Sequence, residues 1–158
     1  MQVTVQNIMD LDPCCKYHEG RVKELWDGRY GLTIEEILDL DIPIKDRGWA
    51  ILAILEKRYP SRAAKLARMI ALDVTHMWEC CNIVWWWLIT GDESSREAVK
   101  NIAWSYWRSA SDAARFSTCC TLMDVTNEAA AIATIGSDTW NAAWVKYISW
   151  ALELLPRD

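Results

Sequence analysis

The 158-residue sequence predicts an all-α fold: a single domain over residues 1–158, built as a bundle of about six to seven helices. Three observations carry that reading. Apolar residues recur at steps of three and four over most of the chain, the spacing of one helical face. Capping residues punctuate those segments. Glycine and proline are few, at six and four, and no partnered pair of alternating segments signals a sheet. With 52% hydrophobic and 25% charged residues, the chain can bury one sizeable core. Eleven tryptophans against one phenylalanine predict a core filled by large flat side chains, each seeking an acceptor for its indole N–H.

"MQVTVQNI" alternates weakly and reads as a short edge segment without a partner. In "LDPCCKYHEGRVKELW", Asp12 is the expected N-cap and Pro13 the first helical residue. "DGRYG" is a turn. "LTIEEILDLDIP" offers a capping box, Thr33 to Glu36, and a short helix ending before Pro43. The next helix, "IKDRGWAILAILEKR", carries Trp49, Leu52, Ala53 and Leu55 as a buried stripe, and Pro60 stops it. From Ser61 as N-cap to Gly91 as C-cap the pattern predicts a long central Trp-rich helix. Its length also suggests a break near Asp73–Thr75. Ser94 and Glu97 form a second expected capping box. The helical pattern then runs to Gly136, too long for one helix, so two helices are expected to meet near Asp124–Asn127. The last helix, capped by Ser137 or Asp138, places Trp140, Trp144, Ile148, Ala151 and Leu155 on one face.

The most unusual stretch is "MWECCNIVWWWLITG", residues 77–91. Its unbroken apolar run, Ile83 to Ile89, is far short of the roughly 20 residues a spanning helix needs, so no membrane association is expected. The amino terminus lacks a basic region followed by a long apolar run, which points to a cytoplasmic protein without a signal peptide. Trp85, Trp86 and Trp87 sweep roughly 200° of a helix surface, which predicts a helix buried on several sides. The alternative is an exposed aromatic anchor for a partner, with Trp86 as the candidate.

The net charge is −5, an acidic balance that argues against direct nucleic-acid binding. It suits solubility, or a basic partner protein. The acidic run "EEILDLD" supplies the candidate partner-binding carboxylates Glu35, Glu36, Asp39 and Asp41, and the alternative is a solvated helix face with capping acids. A basic group, Lys57, Arg58, Arg62, Lys65 and Arg68, follows; its two readings are a site for a phosphate-bearing ligand and, the preferred one, internal pairing with the acidic segments.

The six cysteines form three adjacent pairs, without the C-x-x-C spacing of a zinc or redox motif. Cys14 with His18, and His76 with Cys80, stand four apart on expected helices. Two such pairs facing each other would make a tetrahedral metal site. The preferred reading is buried reduced thiols acting as small apolar groups, with no cofactor. No G-x-S-x-G, H-E-x-x-H or Gly-rich phosphate loop is present, so no enzyme activity is expected.

"DRGWAILAIL" (46–55), "RAAKLARMIALDVTHMWE" (62–79) and the Ala- and Trp-bearing "AWSYWRSASDAAR" (103–115) resemble segments of helical immunity proteins of the Imm-five type. These come from phages, prophages and toxin loci. The resemblance covers most of the chain and rests on packing motifs. The tail departs from the group in having fewer alanines and more tryptophans and cysteines. The resemblance implies an all-helical, non-enzymatic inhibitor that acts by occluding another protein. The target would be a toxin or a nucleic-acid-binding defence effector of the CRISPR kind. The other readings are a metal- or small-ligand-binding helical module, using Cys14, His18, His76 and Cys80, and a self-associating structural phage protein.

Overall fold

The computed structural model of the chain describes residues 1–77, 81–105, 122–136 and 140–156. Among these residues it is all-α apart from one two-residue ladder. The helices are α1 (Val5–Met9), α2 (Glu19–Trp26), α3 (Ile34–Leu38), α4 (Ile44–Arg58), α5 (Pro60–Asp73), α6 (Asn82–Thr90), α7 (Arg96–Ser105), α8 (Leu122–Gly136) and α9 (Trp140–Leu154). These nine exceed the predicted six to seven, because one-turn α1 forms and the long central helix does not.

Four helices make the centre. Each of α4, α5, α8 and α9 packs against the other three. α6 lies on α5 and carries α7, while α3 leans on α4. The predicted face of α9 is borne out: Trp144, Ile148, Ala151 and Leu155 are buried, with Tyr147 beside them, and Trp140 is partly buried against the core. Gly48 lets α4 and α9 approach. A Cβ there would lie 2.7 Å from the Trp144 ring and 3.0 Å from Ile148, closer than packed carbons can sit.

The amino-terminal segment does find a partner. β1 (Gln2–Val3) pairs antiparallel with β2 (Leu32–Thr33), Gln2 opposite Thr33 and Val3 opposite Leu32. Trp26 donates its indole N–H to the Val3 carbonyl at 3.0 Å. One pairing closes the loop from α1 to α3, and no sequence periodicity signals a ladder this short.

Several boundaries differ from expectation. Asp12 does not cap α2; it takes a left-handed φ of 53° after α1, a conformation Asp tolerates. A 3-10 turn, Cys15–Tyr17, follows, and α2 is capped by His18, whose Nδ1 accepts the Arg21 amide at 3.3 Å. Tyr59 alone joins α4 to α5, with Pro60 rather than Ser61 opening α5, as proline's fixed φ favours. The long central helix breaks after Asp73, as the expected break near Asp73–Thr75 anticipated. The Thr75 hydroxyl donates to the Leu72 carbonyl at 2.7 Å, and His76 Nδ1 meets the Asp73 carbonyl at 2.9 Å. Carbonyls that a continuing helix would need are thereby satisfied locally. A 3-10 turn, Thr75–Met77, follows, and α6 keeps only nine residues before Gly91 ends it at φ 68°. Asp92, not Ser94, caps the next turn through the Ser94 amide. α8 runs unbroken through Asp124–Asn127. The expected caps Ser137 and Asp138 lie outside the described residues.

Candidate functional site

The acidic run becomes α3 and the turn after it. Thr33 caps α3 as predicted, its hydroxyl accepting the Glu36 amide at 3.2 Å while the Glu36 carboxylate accepts the Thr33 amide at 2.7 Å. Ile34 and Ile37 are buried, so the intervening acids face out. Arg47 donates to the Leu38 carbonyl and fixes the carboxyl end of α3 against α4. The four acids then divide. Glu36 is taken up by the cap and by Arg29, at 3.2 Å. The Thr33 amide, above all, holds its carboxyl below the ordinary range. Glu35, Asp39 and Asp41 are exposed and hold no ion pair among the described residues.

Beside this edge the 3-10 turn lies over the start of α4. Asp46 Oδ2 accepts the Tyr17 hydroxyl at 2.6 Å and the Lys16 ammonium at 3.0 Å. Burial opposes ionisation of Asp46, yet the bonds from Tyr17 and Lys16 outweigh it and hold the carboxyl below its usual value. Burial and then the Asp46 bond push the Tyr17 phenol up. Pro13, Cys14, Tyr17, Lys45, Asp46 and Trp49 line a cleft of about 300 Å³. A smaller apolar hollow of about 30 Å³ shares Tyr17, Asp46 and Trp49 with it.

The same arrangement occurs a second time. Lys146 and Tyr147 on α9 grip Asp73 at the end of α5, at 2.6 and 3.0 Å. Sequence reasoning missed both clamps. The available signal was the Lys-Tyr dipeptide itself, found at 16–17 and 146–147; its aspartate partners lie 29 and 74 residues away along the chain.

The tryptophan triplet corrects the expectation of a helix buried on several sides. Val84, Trp87 and Leu88 are buried, a single i, i+3, i+4 face. Trp85 and Trp86 are 48% and 55% exposed, and Ile83 and Ile89 stand out beside them. Among the described residues α6 packs mainly on α5 and α7, and the Val84–Trp87–Leu88 face is the one it buries. Trp86 is thus a surface residue. α3 packs on α4 and α6 on α5. The buried Trp87 and Trp144 find no acceptor for their indole N–H among the described residues, unlike Trp26.

The predicted metal ligands are not assembled as expected. Cys14 and His18 both have extended backbone, ψ near 160°, so they do not share a helical face. Cys14 is exposed on the cleft wall and His18 caps α2. His76 is exposed in its 3-10 turn, and Cys80 lies outside the described residues. Among the described residues no cluster of three or more His, Cys, Asp or Glu side chains is placed to hold a metal. Cys14 and Cys15 carry exposed thiols rather than buried ones.

The basic group mostly serves carbonyls, not acids. Lys57 reaches the Asp10 carbonyl at 2.8 Å and Arg62 the Leu154 carbonyl at 2.7 Å, cations set at the carboxyl ends of α1 and α9. Arg58 holds Asn7, and Arg68 lies over the Trp87 ring at 5.8 Å. Among the described residues no helix is long and apolar enough to cross a membrane. No family model, no curated protein and no solved structure matches the chain.

Proposed function

We propose that the protein is a non-enzymatic inhibitor that binds a basic protein and occludes its surface. The target would be a toxin or a nucleic-acid-binding defence effector, in a bacterial cytoplasm. The observation that carries this reading is the α3 edge, where Glu35, Asp39 and Asp41 stand exposed without ion pairs among the described residues. A surface of one sign steers and selects a partner of the other. The likeness to Imm-five-type immunity proteins in "DRGWAILAIL" and the segments after it points the same way. The test is affinity capture of the tagged protein from a host carrying its neighbouring genes, with companions identified by mass spectrometry. A stoichiometric basic companion is expected, lost when Glu35, Asp39 and Asp41 are all changed to Lys. Capture that survives those three reversals would remove the α3 edge from the binding surface.

A second reading is self-association through α6, favoured by four exposed large apolar side chains on one nine-residue helix. Light scattering at rising concentration decides it. A dimer that reverts to monomer with Trp85→Ser and Trp86→Ser supports this reading; a monomer throughout excludes it.

A further inference from the structure

We propose that the cleft between the Cys15–Tyr17 turn and α4 receives one cationic side chain, an arginine guanidinium or lysine ammonium, from the bound partner. This deepens the inhibitor reading and rests on it for the source of the cation. The cleft, at about 300 Å³, is at the small end of ligand pockets, which run from about 300 to 1,000 Å³. That size suits one side chain better than a large cofactor. Its walls combine what an organic cation needs: aromatic faces, Tyr17 and Trp49, and one carboxylate, Asp46. The carboxylate is fixed in place by the Tyr17 hydroxyl, and both observed bonds fall on Oδ2. Oδ1 takes no bond from a described side chain, so it remains to accept a second donor, as a forked guanidinium supplies.

The chain already uses this chemistry on itself. The Lys16 ammonium sits 3.0 Å from Asp46 and 5.1 Å from the Tyr17 ring centre. Its side chain is nevertheless 61% exposed. Lys16 is therefore a tethered, weakly held partner of the Asp46 carboxylate that an entering cation displaces into solvent. The exposed Asp12 directly precedes the lining residue Pro13 in the chain. Lys45 itself lines the cleft, with its ammonium 5.9 Å from the Trp140 ring centre. Arg47 is held at the Leu38 carbonyl.

The test does not need the partner. N-acetyl-arginine amide is titrated into ¹⁵N-labelled full-length protein, following the Trp49 indole and Asp46 amide resonances. N-acetyl-norleucine amide serves as the neutral control. Saturable shifts with the arginine probe alone are expected. Asp46→Asn should weaken binding at least ten-fold. Lys16→Ala, a substitution at an exposed position, should tighten it about five-fold, because it removes the internal competitor of an exposed ion pair. A cleft of purely structural role would leave the Lys16→Ala affinity unchanged, and that result overturns the proposal. Equal shifts with the neutral control overturn it too. Capture of a basic companion that Asp46→Asn leaves intact overturns the cleft while sparing the inhibitor reading. Saturable arginine binding with no protein companion captured overturns the partner as source and points to a free small guanidine or amine.

Discussion

Asp46 shows how a single carboxylate ties distant segments. Its bonds to Tyr17 and Lys16 outweigh the burial that opposes its charge, so its folded-state pKa is depressed. A depressed carboxylate contributes stability that is present above its unfolded value, about 3.9, and is lost as pH falls through the lower folded value. Tyr17 works with the opposite sign. Burial, and then the Asp46 bond, raise its pKa, so its contribution holds below about pH 10 and fades as pH rises through the folded value. Thermal melts of the wild type and Asp46→Asn should differ at neutral pH and converge near pH 2. Because the Lys16 arm is largely solvated, the neutral-pH difference is expected to be about 1–2 kcal/mol. The tryptophans make a second residue-scale test. Trp87 is 1% exposed and Trp86 55%. Denaturant titration of Trp87→Ala should show a loss of about 3–5 kcal/mol, while Trp86→Ala should stay within about 0.5 kcal/mol.

Close approach and clamping set the register of the elements. Gly48 in mid-helix costs α4 up to about 1 kcal/mol of propensity relative to Ala. Gly48→Ala would recover that term, but its Cβ would fall 2.7 Å from the indole of Trp144, a large buried ring. Overpacking of this kind costs about 1–3 kcal/mol, so the substitution is expected to be net destabilising. Trp144→Phe in the same chain should relieve part of the clash, a coupling a double-mutant cycle of chemical melts would measure. Gly91 closes α6 in the left-handed region, where a Cβ would also meet the Arg68 guanidinium at 2.5 Å. Asp73, the last residue of α5, is held by Lys146 and Tyr147, so the end of α5 is pinned to α9. Asp73→Ala should lower stability by about 1–3 kcal/mol. It should also raise amide exchange selectively at the α5–α9 contact, read by hydrogen-exchange mass spectrometry.

Over the whole molecule, charge is organised by segment. Residues 42–71 hold seven basic and two acidic groups, and the flanking segments are acidic. The fold directs two of those cations, Lys57 and Arg62, to carbonyls at the ends of α1 and α9. Of the α3-edge acids, Glu36 pairs with Arg29, while Glu35, Asp39 and Asp41 have no ion pair among the described residues. Association with a basic partner should therefore slow several-fold between about 50 and 300 mM salt. Surface-plasmon association rates would check this. A salt-independent rate would mean that apolar contact, as on α6, dominates the encounter.

Local rules determined much of this protein. The all-α class, the Thr33 capping box, the Gly91 C-cap and the buried face of α9 were legible because each depends on residues within one or two turns of one another. The division of Glu35, Glu36, Asp39 and Asp41 was half legible: the capping box tied Glu36 to the helix start, but Arg29 as its partner was not readable. Only the tertiary structure decided the rest. Which of Trp85, Trp86 and Trp87 is buried depends on how many neighbours α6 has, and apolar content along the helix does not report that number. The pairing of β1 with β2 and both Lys-Tyr clamps join residues far apart in sequence. The physical reason is that hydrogen bonds and burial across tens of residues are settled by which helices pack, and a sequence pattern records only the faces that are available to do so.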